Sequence, residues 1–262
     1  MPLPHGILSG CTDVIDVTDP HELLGTDWQD GSCADAHPFT WCTDESPGLP
    51  AEKEFARPLT CTAEPVTIYA GVECNPVGRP YREAVRHARE ALRMGEQRAL
   101  EQWMQSELLC PLASLGNDLT PPAGAVTIAQ GVAALEGWLG ENYGGLGVLH
   151  VPAGAAAVLG CCNVVHLEGG SARTLMGNCV VMGSGYGINV GPPDCLPADA
   201  GEAWLYVTGP IRVRREGAFT VPDTDAQSVR ILSNDRFVLA ERTFVVELAC
   251  CQAAAIRVTV CP

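Results

Sequence analysis

Apolar residues recur at a spacing of three and four over the segment YREAVRHAREALRMGEQRALEQW, residues 81–103, and the pattern continues to about Cys110. This spacing is typical of one face of an α-helix, and Pro80 suits the first turn because its fixed φ angle is already helical. About 30 residues at about 1.5 Å each make a rod of about 45 Å, longer than a small domain is wide. The pattern therefore predicts one long amphipathic helix over residues 80–110. Its predicted apolar face consists of Tyr81, Val85, Ala88, Leu92, Ala99 and Trp103.

The chain before this helix follows no sustained period. Residues 1–54 mix proline, glycine, aspartate and small residues with scattered aromatic side chains, which is typical of an extended arm that needs partners to become ordered. Residues 58–74 contain β-branched and aromatic side chains bounded by proline and glycine. They predict one strand or a hairpin arm.

After the long helix, a second helix is expected from about Val126 to Asn142. Its predicted buried residues are Val132, Leu135 and Leu139. From residue 145 onward, short apolar runs alternate with glycine turns and small helical segments. Few connections are long enough for parallel crossovers, so the pattern predicts an α+β fold with mostly antiparallel strands. The clearest predicted strands are Gly147–Val151, Asn178–Met182, Ala203–Thr208, Ile211–Arg215, Arg236–Arg242 and Thr243–Val260, the last broken by CCQAAA.

The acidity of the chain is uneven. The formal net charge is −15, and residues 1–54 carry −10 of it, with eleven carboxylates against Lys53, the single lysine. Five of the fifteen arginines lie in the long helix, at Arg82, Arg86, Arg89, Arg93 and Arg98. No basic face dominates, which disfavours a nucleic-acid-binding protein. No apolar run reaches the roughly 18 residues of a membrane span and no secretory signal is present, so we expect synthesis in the cytosol and no membrane partner.

The thirteen cysteines do not predict a disulfide framework. Their number is odd and the chain is too large to need covalent staples, so reduced, buried thiols are expected. The adjacent pairs Cys161-Cys162 and Cys250-Cys251 lack the spacing of a zinc site. His150 and His166 could join Cys162 around a metal ion, but His150 lies inside an apolar strand, where a core histidine is the more common interpretation.

Two other motifs have simpler interpretations. The segment GSGYGINVG, residues 183–191, resembles a phosphate-binding loop but lacks the lysine and the following helix, and a flexible glycine loop is favoured. Arg212 and Arg214 share one face of a strand, which would suit a phosphate, a nucleic acid or another subunit. No aromatic residues accompany them, so a subunit contact is favoured. No catalytic pair or triad is evident, and we expect no enzymatic activity, no cofactor and no metal.

The order of these elements resembles that of the major capsid proteins of tailed phages, which have the Hong Kong 97 fold. The resemblance covers about residues 55–262. It rests on RTLMGNCVVMGSGYG (173–187), on AWLYVTGPIRVRREGAF (203–219) and on RFVLAERTFVVELACCQAAAIRVTV (236–260). The phrases PVTIYAGVECNPVG, ENYGGLGVLHVPAGAA and YVTGPIRVRR are similar to head proteins of actinobacterial phages. Cys179 stands where the family usually has proline, and the chain is short for such a protein.

The resemblance implies an α+β, Hong Kong 97-like fold with an N-terminal arm, an extended β-loop, a long spine helix, and peripheral and axial domains. The implied boundaries are residues 1–54 for the arm, 55–78 for the extended loop, 79–125 for the spine helix and the start of the peripheral domain, about 126–202 for the axial domain, and 203–262 for the return strands of the peripheral domain.

The function implied by the resemblance is that of a structural virion protein, a major capsid protein. Copies would self-assemble as pentamers and hexamers into the icosahedral head shell, in the cytoplasm of a bacterial host. Packaged double-stranded DNA, held non-specifically, and scaffolding, portal and decoration proteins are the further implied partners. The alternatives are a minor head or tail protein such as a connector or tail-tip component, an encapsulin-like compartment shell, or a small hydrolase.

In such a shell, the arginine stripe of the long helix would meet carboxylates on the acidic arms of adjacent subunits, since a guanidinium binds a carboxylate with two parallel hydrogen bonds. An ordinary solvated helix face is the alternative. The residues expected at subunit interfaces are Arg82, Arg86, Arg89, Arg93, Arg212, Arg214, Trp28 and Trp41. Some family members form a lysine-to-asparagine crosslink, for which Lys53 with Asn178 or Asn189 is conceivable, but a solvated lysine is favoured.

Overall fold

The structure is a computed structural model that describes residues 4–30, 33, 36, 55, 57–161 and 163–260. The predicted long helix is present. It begins as α1 (Tyr81–Trp103), continues without a break through a π-helical segment (Met104–Leu109), and ends as α2 (Cys110–Ala113). The other helices are α3 (Ile128–Asn142) and α4 (Ala153–Cys161). No helix within the described ranges is long and apolar enough to cross a membrane.

The part of the chain that the structure describes also contains seventeen strands. In the first half of the chain they are β1 (Asp13–Asp16), β2 (Thr26–Asp30), β3 (Leu59–Ala63), β4 (Pro65–Cys74), β5 (Val126–Thr127) and β6 (Val148–Pro152). Those that follow are β7 (Val165–Glu168), β8 (Ser171–Thr174), β9 (Cys179–Gly183), β10 (Val190–Gly191), β11 (Leu196–Pro197), β12 (Glu202–Thr208), β13 (Ile211–Arg215), β14 (Phe219–Val221), β15 (Val229–Arg230), β16 (Asp235–Leu248) and β17 (Ala253–Thr259).

Two sheets form the body. The seven-stranded sheet has the order β5-β17-β12-β6-β9-β8-β7. In the six-stranded sheet, the long strand β16 pairs with β4 along one edge and with β13, β14 and β15 in turn along the other, while β1 pairs with β13. The described pairings are antiparallel except β1–β13, β5–β17 and β6–β9. The predicted α+β class and mostly antiparallel pairing are therefore confirmed.

The seven-stranded sheet is buried on both faces. Along β12, Trp204 and Tyr206 pack into the core that contains the long helix and the six-stranded sheet, while Leu205 and Val207 pack against α3 and α4. Burial on both faces explains why this strand is an apolar run without a polar alternation. Helix α3 confirms the second predicted helix and its buried residues, Val132, Leu135 and Leu139. Thr127 caps its N-terminus in a capping box with Gln130.

The buried side of the long helix is only partly the predicted one. Ala88 and Leu92 are buried as expected, but Tyr81, Val85, Ala99 and Trp103 are only half-buried. The helix instead buries polar residues in its second half, namely Glu96, Gln97, Glu101 and Gln105. It packs on the six-stranded sheet first and on the arm and a glycine turn later, so its buried side rotates along its length.

The described part of the arm is not an unstructured segment awaiting partners. Ile7 is fully buried in the main core, and β1 pairs in parallel with β13. Strand β2 pairs with β3, so residues 58–74 form two strands that pair with different elements rather than with each other. The arm sequence contains few apolar residues, and pairing with distant strands supplies the order that a local pattern could not indicate.

One further expectation is corrected. The predicted boundary between two strands at residues 242 and 243 does not exist, because β16 is continuous from Asp235 to Leu248, with no glycine or proline to interrupt it. The chain turns at Ala249–Cys251, where the predicted break at CCQAAA begins. Residues 203–262 contribute to both sheets, since β12 and β17 lie in the seven-stranded sheet and β13 and β16 in the other. The predicted strands at residues 147–151, 178–182, 203–208 and 211–215 are confirmed as β6, β9, β12 and β13.

The expectation of reduced thiols is wrong for eight cysteines. The described residues form four disulfides, with Cα atoms 5.5–5.8 Å apart. The pairs are Cys11–Cys179, Cys33–Cys250, Cys61–Cys251 and Cys110–Cys195. Among the described residues, Cys74 and Cys161 are free. An odd number of cysteines and the length of the chain were misleading signals, because pairing depends on which distant segments the fold brings together.

Candidate assembly surfaces

Four predicted interface arginines form an exposed stripe on α1. At about 100° per residue, Arg82, Arg86, Arg89 and Arg93 fall within about 60° of one another, and all four side chains are exposed. Arg86 lies 3.7 Å from Glu83, one turn earlier. For the other three, no carboxylate of the described residues lies within ion-pairing distance. Arg98 is also exposed, but at about 100° per residue it lies on the opposite side of the helix.

The same side of the helix is covered in its second half. Here Glu101, which is fully buried, accepts the Ile7 N–H at 3.1 Å with one carboxylate oxygen and the Gly185 N–H at 2.9 Å with the other. Burial raises the pKa of Glu101, and these backbone N–H groups partly oppose that rise. One buried carboxylate thus fixes the arm and the glycine turn to the long helix.

The glycine turn packs closely on the long helix. Residues Gly185–Ile188 form a 3₁₀ turn that lies directly on the helix. A Cβ atom on Gly185 would lie 2.2 Å from the Arg98 carbonyl oxygen, so only glycine lets the turn approach this closely. This packing explains the glycine-rich sequence without a bound phosphate.

A groove lies where the arginine stripe meets β16. It has a volume of about 330 Å³, and Arg89, Arg93 and Arg242 line it together with Glu96. Arg242 Nη1 donates to both carboxylate oxygens of Glu96, at 2.9 and 2.8 Å. Burial raises the pKa of Glu96, while Arg242 acts in the opposite direction. The groove therefore presents the exposed guanidinium groups of Arg89 and Arg93 beside that of Arg242, which is already paired with Glu96.

Arg212 and Arg214 contact the arm of their own chain. The parallel register places Asp13 opposite Arg212, Ile15 opposite Arg214 and Asp16 opposite Arg215. The resulting ion pairs are Arg212–Asp13 at 3.0 Å, Arg214–Glu22 at 3.0 Å, Arg214–Glu247 at 2.7 Å and Arg215–Asp16 at 2.7 Å. Ile211 and Val213 point into the core on the other face, as the alternation predicted. The acidic arm and this basic strand thus match each other within one chain.

The ion pairs shift the pKa values of their partners. The hydrogen bond from Arg215 lowers the pKa of Asp16, and the hydrogen bond to Glu247 raises the pKa of Arg214. Arg214 and Glu247 are the least exposed members, with side chains 23 % and 12 % exposed. This pair has the least solvent screening of the set, but it joins β13 to β16; Arg214 contacts the arm through Glu22.

Of the two tryptophans expected at subunit interfaces, Trp28 lies among the described residues. Trp28 is half-buried on β2 and packs against the small cluster of Val17, Leu23, Ala63 and Val245. It therefore contacts its own chain in this structure. Trp41 lies outside the described residues.

The candidate chemical residues have structural roles. His150 is buried, and its two ring nitrogens lie 2.8 Å from the Tyr186 hydroxyl and 3.1 Å from the Thr208 hydroxyl. Burial lowers its pKa to about 3, so the ring is neutral at physiological pH and the prediction of a core histidine is confirmed. His166 is exposed beside Glu168, and Cys162 lies outside the described residues.

Within the described ranges, one group of three donors is close enough to bind a metal ion, namely Asp30, Cys33 and Cys250. Its two sulfurs are joined in a disulfide, which leaves them unsuited to bind a metal as thiolates.

The conceivable crosslinking asparagines also have structural roles. Asn178 donates to Glu136 and accepts the Gly147 N–H. Asn189 donates to the Glu202 carbonyl and accepts the Trp204 N–H. Lys53 lies outside the described residues.

Sequence reasoning missed the two buried carboxylates and the disulfides. Glu96 and Glu101 are polar residues on the side of the helix that also carries arginines, so the apolar pattern placed that whole side in solvent. The sequence did contain a weak signal of polar burial. Positions 96, 97, 101, 102 and 105 are polar and leave no continuous apolar face in this part of the helix.

Comparisons with known proteins identify the fold. No protein-family model matches the chain, and no curated protein matches it in sequence. Solved structures do match, with identities of 11–12 %. A chain of Gordonia phage Cozz is 11 % identical with a TM-score of 0.52, and the match covers 95 % of this chain and 84 % of that one.

Two further structures agree. A chain of the phage G structure of gp27 major capsid proteins and gp26 decoration proteins is 11 % identical with a TM-score of 0.52, over 99 % of this chain and 91 % of that one. A chain of the native GTA particle capsid is 12 % identical with a TM-score of 0.51, over 95 % and 88 % respectively. The chain has the Hong Kong 97-like fold of phage capsid proteins.

Proposed function

We propose that this chain is the major capsid protein of a tailed phage and self-assembles into an icosahedral head shell around phage DNA. The observation that carries the proposal is the fold match, which extends over nearly the whole chain to capsid structures. The site supports a structural role, since the buried polar residues described above bind other parts of the chain and none is placed to act on a substrate.

The parts of the fold take corresponding names within this proposal. The long helix is the spine helix, the six-stranded sheet belongs to the peripheral domain, and the seven-stranded sheet with α3 and α4 is the axial domain. Residues 1–54 are the arm and 55–78 the extended loop. Pentamers and hexamers in a virion, assembled in the bacterial cytoplasm, are the proposed oligomers. Scaffolding, portal and decoration proteins and non-specifically held DNA are the further proposed partners.

We also propose that the arginine stripe binds carboxylates of an adjacent copy. Its guanidinium groups are exposed, and the same side of the helix is covered by the arm only further along. Residues 31–54 supply five carboxylates, at Asp35, Asp44, Glu45, Glu52 and Glu54. A segment of this charge from a second copy would complement the stripe, and many such contacts, each weak, stabilise a shell together.

Assembly of the purified chain tests the main proposal. Sedimentation and cryo-electron microscopy of the chain expressed with its neighbouring genes should show closed shells or their pentamers and hexamers. A stacked ring or tube in low copy number would instead indicate a connector or tail component. A shell filled with a host protein and free of phage DNA would indicate a compartment shell. A monomer at every concentration would contradict the proposal.

Charge reversal tests the stripe. The double variant Arg89→Glu, Arg93→Glu should reduce the assembled fraction at least about tenfold, because each lost charged contact also becomes a repulsion. The single variant Arg98→Glu on the opposite side of the same helix should assemble normally. Equal loss in both variants would show that helix charge in general, rather than the stripe, matters.

A further inference from the structure

Each of the four disulfides connects the first part of the chain to its last third. Cys11, Cys33, Cys61 and Cys110 pair with Cys179, Cys250, Cys251 and Cys195. The partners are 85 to 217 residues apart in sequence. The described disulfides therefore tie the arm, β3 and the end of the long helix to the two-sheet body, and none of them closes a local loop.

The burial of the paired sulfurs follows one rule. In every pair, one cysteine is buried and its partner is half-buried. The buried members are Cys61, Cys110, Cys179 and Cys250. The half-buried members are Cys11, Cys33, Cys195 and Cys251. The residues of the second set are more exposed to a dissolved reagent than those of the first, so the two members of each pair should not be equivalent toward an oxidant.

Two of the bonds meet at the turn between the sheets. Cys250 and Cys251 are adjacent, with φ angles of 62° and 48°. Left-handed backbone is unfavourable for residues other than glycine, and Asp30 supports the turn by accepting the Cys250 N–H at 2.6 Å. Because the turn sends the two neighbouring side chains in different directions, one reaches Cys33 and the other Cys61.

We propose that these cysteines form an oxidative lock: the chain first folds with its arm in place as thiols, and a small-molecule disulfide such as oxidised glutathione then closes the four bonds. The half-buried thiolate attacks the oxidant, breaks its S–S bond and forms a mixed disulfide, and one glutathione leaves. The buried thiol loses its proton, attacks the protein sulfur of the mixed disulfide and displaces the second glutathione. Two protein thiols and one oxidised glutathione thus become one protein disulfide and two glutathione molecules.

The lock follows folding because non-covalent contacts already hold the arm and β3 in place. Ile7 is buried, β1 is paired with β13, and β2 is paired with β3 without any sulfur contact. A bacterial cytosol keeps thiols reduced, so the bonds would close after the protein leaves it. The location in a bacterial cytosol rests on the proposed function, whereas closure of the bonds by an oxidant concerns the chain itself.

Removal of a buried partner tests the order of attack. The purified, reduced chain is treated with oxidised glutathione, quenched by alkylation over time and digested for mass spectrometry. In the variant Cys110→Ala, Cys195 should accumulate as a glutathione adduct, while in Cys195→Ala the buried Cys110 should stay unmodified. Cys74→Ser is the matched control and should leave all four bonds unchanged.

The unmodified chain keeps the test independent of any variant's folding. Its quenched time course should show transient adducts at the four half-buried cysteines and none at the four buried ones. The exposed Cys161 should keep its adduct. Closing such long loops should raise the thermal midpoint by roughly 10 °C or more over the reduced chain. Adducts first at the buried cysteines, or no bonds at all after oxidation, would overturn the lock. Sedimentation of the same samples reports assembly separately, so failure of the shell proposal is a distinct result.

Discussion

At the scale of single residues, the buried polar groups of this chain hold segments together. The Thr208 hydroxyl donates to the Gly209 carbonyl at 2.8 Å, so its oxygen is left to accept a hydrogen bond from His150 Nε2. His150 Nδ1 then accepts the Tyr186 hydroxyl hydrogen, 2.8 Å between the heavy atoms. The imidazole is neutral in this arrangement, and burial away from solvent is what disfavours its charged form.

His150 therefore makes the protein sensitive to acid. Burial lowers its pKa from 6.5 to about 3, so between these values the unfolded chain binds a proton that the folded chain does not. Stability should fall as pH decreases from 6.5 toward 3, by at most about 1.4 kcal/mol per pH unit from this residue. The variant His150→Gln should lose that part of the slope in urea unfolding measured from pH 7 to 4.5.

The comparison between variants matters more than the absolute slope. Glu96 and Glu101 have raised pKa values and bind protons more tightly when folded, so they oppose the histidine as pH falls. The exposed His87 provides the control, and His87→Gln should keep the wild-type slope. An unchanged slope in His150→Gln would show that the ring is not held neutral.

At the scale of elements, the close contact between the glycine turn and the long helix can be tested with two neighbouring glycines. Gly185→Ala would place a Cβ atom 2.2 Å from the Arg98 carbonyl oxygen and 2.5 Å from the Glu101 Cβ. The turn must move away and break its hydrogen bond to Glu101, so the free energy of unfolding should fall by about 2–4 kcal/mol.

Gly187 in the same turn is the matched control. A Cβ atom there would meet no atom within 4 Å, so Gly187→Ala should change stability by less than about 0.5 kcal/mol. Chemical denaturation of both variants provides the measurement. A similar loss of stability in both variants would mean that contact with the helix does not decide the cost.

The elements that sequence could predict are those with a local pattern. The long helix, α3 and strands β6, β9, β12 and β13 each carry their period within their own residues. The arm strands β1 and β2 carry no such local pattern, because partners far along the chain order them. Strand β16 contains no turn residue, so its sequence does not mark where the strand ends. The disulfides were missed for the same reason, since pairing depends on non-local contacts.

At the scale of the whole molecule, the two sheets cannot be separated into consecutive sequence blocks. The chain passes from the seven-stranded sheet to the other between β12 and β13, and it returns after β16 to finish as β17. A domain boundary at residue 203 divides the sequence into consecutive blocks, and it does not coincide with the division between the two sheets. The last sixty residues, together with the arm, thus join both halves into one body.

The arginines of this body should divide into two groups with separable effects. Those of β13 bind the arm of their own chain, and Arg214 also binds Glu247 of β16. Arg214→Met should lower the free energy of unfolding by about 2 kcal/mol, because the mostly buried Glu247 would keep only the Thr26 hydroxyl at 3.1 Å and Arg212 at 3.8 Å. Arg212, whose side chain is 48 % exposed, is the matched neighbour on the same strand face. Arg212→Met should cost less than about 1 kcal/mol, as expected for a screened surface pair.

The stripe variant Arg89→Glu, Arg93→Glu should behave in the opposite way. In the wild-type chain, the guanidinium groups of Arg89 and Arg93 are exposed and form no ion pair with a carboxylate in the described part of the chain. The unfolding midpoint of the unassembled variant should therefore stay close to wild type while assembly fails. Denaturation and sedimentation of the same preparations separate the two groups. If Arg214→Met left unfolding unchanged but blocked assembly, the arm would be bound by a neighbouring copy in solution, and the ion pairs seen here within one chain would instead join adjacent subunits.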